Sequence, residues 1–171
     1  RRLMYTAQLP DKGPFVIRYP RGRGVLADWH CELEEVKVGT GRKLHDGKDV
    51  AVLSFGPVGN NVEEAIEMME TSTPQLSIAH YDMRFVKPLD TEILKGVAQQ
   101  FDRIITIEDG AREGGFGSAV LEWLEDNGYR KNVVRLGLPD HFVEHGTVAE
   151  LQHIVGIDAE GIIEAVNDII K

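Results

Sequence analysis

A single cysteine, Cys31, stands in 171 residues, so no disulfide closes within the chain and no cysteine cluster holds a metal. Basic side chains are in deficit, 19 Lys and Arg against 28 Asp and Glu, for a net charge of −9. That balance disfavours nucleic acid and anionic membrane as partners, since both want a basic face. No apolar run approaches the length that crosses a bilayer, and no signal peptide is visible. A reducing, cytoplasmic setting fits these absences. Also missing are a Gly-x-Ser-x-Gly frame around Ser54 or Ser118, and any Asp-x-Asp or Asp-x-Asn cluster. Those gaps exclude a nucleophile elbow and a carboxylate magnesium site. No complete catalytic set remains. The chain opens on Arg1 without a methionine, which suggests a piece of a longer protein.

What is present is a regular alternation of short apolar runs and amphipathic stretches from Lys37 onward, in a length that suits one domain with an appendage. Lys37 to Leu44 and Val50 to Phe55 flank His45-Asp46-Gly47-Lys48, an Asp-Gly hairpin signal. A helix follows with Val62, Ala65, Ile66 and Met69 on one face. Leu76 to His80, Arg103 to Ile107 and Val133 to Leu136 read as further strands. Each precedes a helix: Ile93 to Ala98 capped by Asp90, Ala119 to Leu124, and Thr147 to Val155 with the capping box Thr147–Glu150. Asp158 caps a last helix bearing Ile162, Ile163, Val166 and Ile170. The pattern predicts an α/β fold: a mainly parallel sheet of about five strands, one antiparallel edge strand from Lys37–Leu44, and helices on both faces. Residues 1–24 read differently. Pro14 to Pro20 is one apolar strand without a local partner, expected to close an upstream domain and to pair or pack with something. Residues 25–36 read as a linker and 37–171 as the domain proper.

Several residues invite a chemical reading. Arg18-Tyr19-Pro20-Arg21-Gly22 sets two guanidinium forks, which suit phosphate oxygens, beside a glycine that permits close backbone approach. On residue types alone the segment reads instead as a surface arginine and a strand-ending proline. Gly114-Gly115-Phe116-Gly117-Ser118 follows a strand, but Val120 takes the third glycine position of a dinucleotide loop and no Lys-Ser or Lys-Thr follows. Close packing of a helix start on the sheet and a neighbouring chain is the simpler account. Glu108 and Asp109, at a strand's carboxyl end, form a second possible site. His141, Glu144 and His145 lack zinc-helix spacing and read as loop residues; His80 reads as a buried or interface histidine.

One string is more specific. Asp82-Met83-Arg84-Phe85-Val86-Lys87-Pro88-Leu89-Asp90, followed in order by the Gly-Gly-Phe-Gly-Ser string and by Gly137-Leu138-Pro139-Asp140, resembles the C-terminal domain of transketolase-like, thiamine-diphosphate-dependent enzymes. The wording Met83 to Lys87 is similar to the branch that condenses pyruvate with glyceraldehyde 3-phosphate, with loss of CO2. β Subunits of 2-oxoacid dehydrogenases and transketolase itself share the domain but are less similar there. A freestanding, non-catalytic α/β binding module is the remaining alternative. The resemblance implies that residues 1–24 end a pyrimidine-binding domain, that Arg21 contacts the aldehyde's phosphate, and that Arg18 and Tyr19 shape the strand end. It implies thiamine diphosphate and Mg2+ held by upstream domains of the same enzyme, a homodimer, and no catalytic residue or metal ligand in this chain.

Overall fold

The computed structural model describes residues 1–20, 24 and 30–171. Arg21, the expected phosphate ligand, and residues 25–29 of the expected linker lie outside the described residues. The elements are α1 (Arg2–Thr6), β1 (Arg42–His45), β2 (Val50–Phe55), α2 (Gly59–Ser72), β3 (Ile78–Asp82), α3 (Thr91–Gln100), β4 (Arg103–Ala111), α4 (Phe116–Asp126), β5 (Asn132–Leu138), α5 (Val148–Ile154) and α6 (Ala159–Ile169).

The five strands run in the order β1-β3-β2-β4-β5. Only β1, paired to β3, is antiparallel; β2–β3, β2–β4 and β4–β5 are parallel. Val50, Ala51, Val52 and Leu53 of β2 are all fully buried, as a central strand covered on both faces must be. On one face Val52 and Ile105 pack with Val62, Ile66 and Met69 of α2 and Ile162, Val166 and Ile169 of α6. On the other, Leu53, Tyr81 and Ile104 pack with Leu94 and Val97 of α3 and Val120 and Leu124 of α4. Each such aliphatic side chain removed from water stabilises the fold by roughly 1.5–3 kcal/mol.

The helix starts follow local chemistry. Asp90 Oδ1 accepts from Ile93 N at 2.9 Å, Asp158 Oδ1 accepts from Gly161 N at 2.9 Å, and Thr147 and Glu150 cap one another reciprocally. These side chains satisfy amides that the first helical turn leaves without partners.

Three expectations are corrected. The Asp-Gly turn does not close a hairpin. β1 and β2 flank β3 instead, because the turn crosses over the start of that strand. A Cβ on Gly47 would lie 2.1 Å from Ala79 N, and Lys48 N and Asp49 N both donate to Ser77 O. The strand predicted from Lys37 begins only at Arg42. Residues 14–20 form no strand, though they do not hang free. Phe15 packs edge-on against Phe85 with ring centroids 6.2 Å apart, whereas Val16 is 93% exposed.

The five-residue helix α1 was not foreseen. Its anchor is buried Thr6, whose hydroxyl accepts from Val36 N at 2.8 Å and donates to Arg2 O at 2.9 Å. Arg2 also pairs with Glu34 at 3.0 Å, so the start of the chain is fastened to residues 32–36.

Candidate functional site

Ligands of parallel α/β sheets bind outside the carboxyl ends of the strands. Here that edge carries Phe55 of β2, Met83 to Phe85 after β3, and Glu108 to Ala111 of β4. Glu108 and Arg84 among them have definable structural tasks.

Glu108 is only 5% exposed. Its Oε2 accepts from Phe116 N and its Oε1 from Gly117 N, both at 2.9 Å, so the strand supplies the cap that Gly115 cannot. A carboxylate on the first amides of α4 also opposes the helix dipole favourably. Gly115 has no room for a side chain, since a Cβ would sit 2.1 Å from Ala111 O and 2.4 Å from Glu108 Oε2. A Cβ on Gly117 would sit 2.5 Å from Thr106 Oγ1. The glycines thus bring the helix start onto β4. The turn between them is tied down by Ser118, which accepts from Gly114 N at 3.0 Å, and by Arg135 Nη1, which donates to Arg112 O at 2.9 Å. Arg112 N donates to Leu138 O, Gly114 N to Ser118 Oγ, and Phe116 N and Gly117 N to Glu108, so these amides are engaged by protein acceptors. Asp109 is half-buried beside Glu108.

The signature string from Asp82 to Asp90 has a structural task as well. Arg84, at φ 54°, donates from Nε to Thr40 O at 2.8 Å and from Nη2 to Thr40 Oγ1 and Gly41 O at 3.0 Å each. Burial pushes its guanidinium below the usual arginine range, opposed by nearby Asp82. Asp90 accepts from Gly41 N at 2.7 Å in addition to capping α3. Asp82 accepts from Arg42 Nε at 3.0 Å. Together they fasten the loop before β1 to the sheet.

His80 is fully buried, as expected. Its Nε2 lies 2.8 Å from Ser54 Oγ, and its Nδ1 faces Glu63 Oε1 of α2. A carboxylate only accepts, so Nδ1 carries the proton and the Ser54 hydroxyl donates to Nε2. Burial pushes the imidazole below the usual histidine range, more than Glu63 raises it. A serine, a base and an orienting acid share the logic of nucleophilic catalysis. Here Ser54 is also fully buried, and a Cβ on Gly59 would come within 2.8 Å of its Oγ. No substrate carbonyl reaches it, and the trio locks α2 onto β2 and β3. Sequence reading missed this network because Ser54 and Glu63 stand 26 and 17 residues from His80.

Arg18 and Tyr19 are exposed, and Arg18 Nη1 lies over Gly110, 2.9 Å from where a Cβ would be. His141, Glu144 and His145 are exposed loop residues. Among the described residues one group could gather around a cation, His153, Asp158 and Glu160. Asp158 is already engaged by Gly161 N and by His153 Nδ1 at 2.7 Å. Such a cluster does not fit the oxygen cradle that Mg2+ and a diphosphate require. No described helix is long and apolar enough to cross a membrane.

Residues 39–162 match the family "Transketolase, C-terminal domain", and the chain belongs to it. Among its relatives is the 1-deoxy-D-xylulose-5-phosphate synthase of Bacteroides thetaiotaomicron, 61% identical over 95% of this chain and 25% of that protein. The 1-deoxy-D-xylulose-5-phosphate synthase of Bacteroides fragilis is 58% identical over 97% of this chain and 26% of its own length. The chain therefore spans about a quarter of the relatives it matches. A solved split-gene transketolase, an inactive β4 tetramer, is 31% identical with a TM-score of 0.73, over 80% of this chain and 44% of that one.

Proposed function

We propose that the chain is the C-terminal part of a 1-deoxy-D-xylulose-5-phosphate synthase. The complete enzyme would condense pyruvate with glyceraldehyde 3-phosphate, with loss of CO2, to give 1-deoxy-D-xylulose 5-phosphate for isoprenoid, thiamine and pyridoxal synthesis in the cytoplasm. The observation that carries the reading is the 61% identity spread over 95% of the chain, the Tyr-Pro-Arg-Gly segment included in its span. Under this reading, the domain contributes a scaffold, part of a homodimer interface and one substrate-phosphate ligand, Arg21. Thiamine diphosphate and Mg2+, which supply carbanion chemistry at the reacting carbon, belong to domains upstream, and none of that chemistry falls to residues described here. Two findings support a supporting role. Glu108 and Arg84 at the strand carboxyl ends are consumed in holding a helix and a loop, and the split-gene neighbour is an inactive β4 tetramer.

The test is steady-state kinetics on a polypeptide of the relatives' full length carrying this chain. Arg21→Ala should weaken use of glyceraldehyde 3-phosphate by about 1.5–3 kcal/mol, the value of a charge-assisted hydrogen bond, and leave pyruvate use almost unaltered. An equal loss for both substrates rules out Arg21 as the phosphate ligand.

A further inference from the structure

The two edges of the sheet are built differently. β1 is four residues long and carries Arg42, Lys43 and His45, with Arg42 paired to Asp82 and Lys43 to Asp46. Short, charged edge strands resist the addition of a further strand. β5 runs over seven residues, Asn132 to Leu138, with no proline, lysine or acidic residue among them. Its one charge, Arg135, is turned back on its own domain, where Nη1 donates to Arg112 O at 2.9 Å and to Ser118 Oγ at 2.8 Å. β5 ends the sheet, and among the described residues no strand lies on its outer side. Asn132 N donates to Asp102 O at 2.9 Å. The alternation of a parallel ladder then turns the backbone groups of Asn132, Val134 and Leu136 toward β4, and those of Val133 and Arg135 outward. Gly137, the next outward position, is buried, so the open stretch is centred on Val134.

From this we propose that the outer edge of β5 joins the same edge of a second copy of the chain, antiparallel about a two-fold axis at Val134. In that register Val133 of each copy lies opposite Arg135 of the other, and their outward N–H and C=O groups bond to one another. Centring on Arg135 instead would set two like charges directly opposite. Charge selects the occupant. The chain carries a net charge of −9 and repels itself in general, but the run from Arg130 to Pro139 has no acidic residue. Arg130, just ahead of β5, and Asp140, just after it, are both exposed. Antiparallel pairing sets Arg130 of each copy diagonally from Asp140 of the other, a separation that long side chains bridge. Joining β5 to β1 of a further copy would bring Arg42 and Lys43 against a strand whose one charge is also basic. It would also add copies head to tail without the closure that a two-fold gives.

The pairing concerns this chain by itself and stands apart from the synthase reading. The purified chain is followed by sedimentation velocity from low micromolar to near-millimolar concentration, with amide exchange at Val133, Val134 and Arg135 read by NMR over the same range. A monomer–dimer equilibrium is expected. The Val133 and Arg135 amides should slow as the dimer fills, whereas Val134, already bonded to β4, is slow throughout. Arg130→Asp and Asp140→Arg should each weaken the dimer about tenfold, since each turns two attractive pairs repulsive. The double variant exchanges the ends of the same pairs and should restore the dimer. Both positions are exposed, so the urea midpoint of the dilute chain should not move in any of the three. A monomer at every concentration overturns the proposal, as does a dimer whose Val133 and Arg135 amides exchange as fast as in the dilute chain. A growing series of larger species overturns the two-fold closure, and a double variant no better than the singles overturns the antiparallel register.

Discussion

Glu108→Gln is the substitution that best separates a structural carboxylate from a ligand-binding one. The wild-type side chain gives one oxygen to Phe116 N and the other to Gly117 N, in a site 5% exposed. Glutamine keeps the shape but offers one oxygen and an NH2 group that faces an amide donor. A lost hydrogen bond to a charged group costs roughly 1.5–3 kcal/mol, and the charge at a partly buried helix start adds up to about 2 kcal/mol. About 3 kcal/mol is therefore expected, a fall in Tm of roughly 6–12 °C for a chain of this size. Glu108→Ala, which orphans both amides, should be worse. Thermal and urea unfolding of the purified chain by circular dichroism reads both. A glutamine variant within about 0.5 kcal/mol of wild type would refute the reasoning, because effects that small belong to substitutions away from any cap or buried network.

Gly47→Ala should prevent the chain from crossing β3, because the new Cβ meets backbone at Ala79 N and Ile78 C, 2.1 and 2.2 Å away. A loss above about 3 kcal/mol is expected in urea unfolding, and a normal midpoint would disprove the close approach. His80 and His153 should titrate on opposite sides of the ordinary value of 6.5. Burial depresses His80, while its hydrogen bond to Asp158 raises His153. Below about pH 6.5 the unfolded chain takes up a proton that native His80 refuses, so this group makes stability fall as pH drops toward its folded pKa. His153 has the reverse sign, stabilising below about pH 6.5 and losing that as pH rises through its folded pKa, weakly because it is exposed. Ring NMR titration reads both, and the reverse order would contradict the described network.

Much of this was legible along the chain because it is local. Val62, Ala65, Ile66 and Met69 face the core as their spacing requires, and Asp90, Thr147 and Asp158 cap helices within three residues of themselves. What could not be read is what the tertiary fold decides. Asp46-Gly47 announces a turn but not its neighbour, and β3, which starts 31 residues after Gly47, takes the place of the expected hairpin partner. Helix α1 is too short to show a period and depends on Thr6 meeting Val36. Glu108 was singled out for its position at a strand end, but its occupation by α4 depends on a Gly-rich turn folding back. A carboxylate ahead of Gly-Gly-Phe-Gly was the available signal, since an acid near a helix start is favoured there.

The central claim is that this polypeptide braces an active centre assembled from residues upstream and lends it a guanidinium. It is tested most directly by incubating the purified chain with thiamine diphosphate, Mg2+, pyruvate and glyceraldehyde 3-phosphate and measuring CO2 release. The account predicts no turnover above the protein-free control; sustained CO2 release from the chain alone would contradict it.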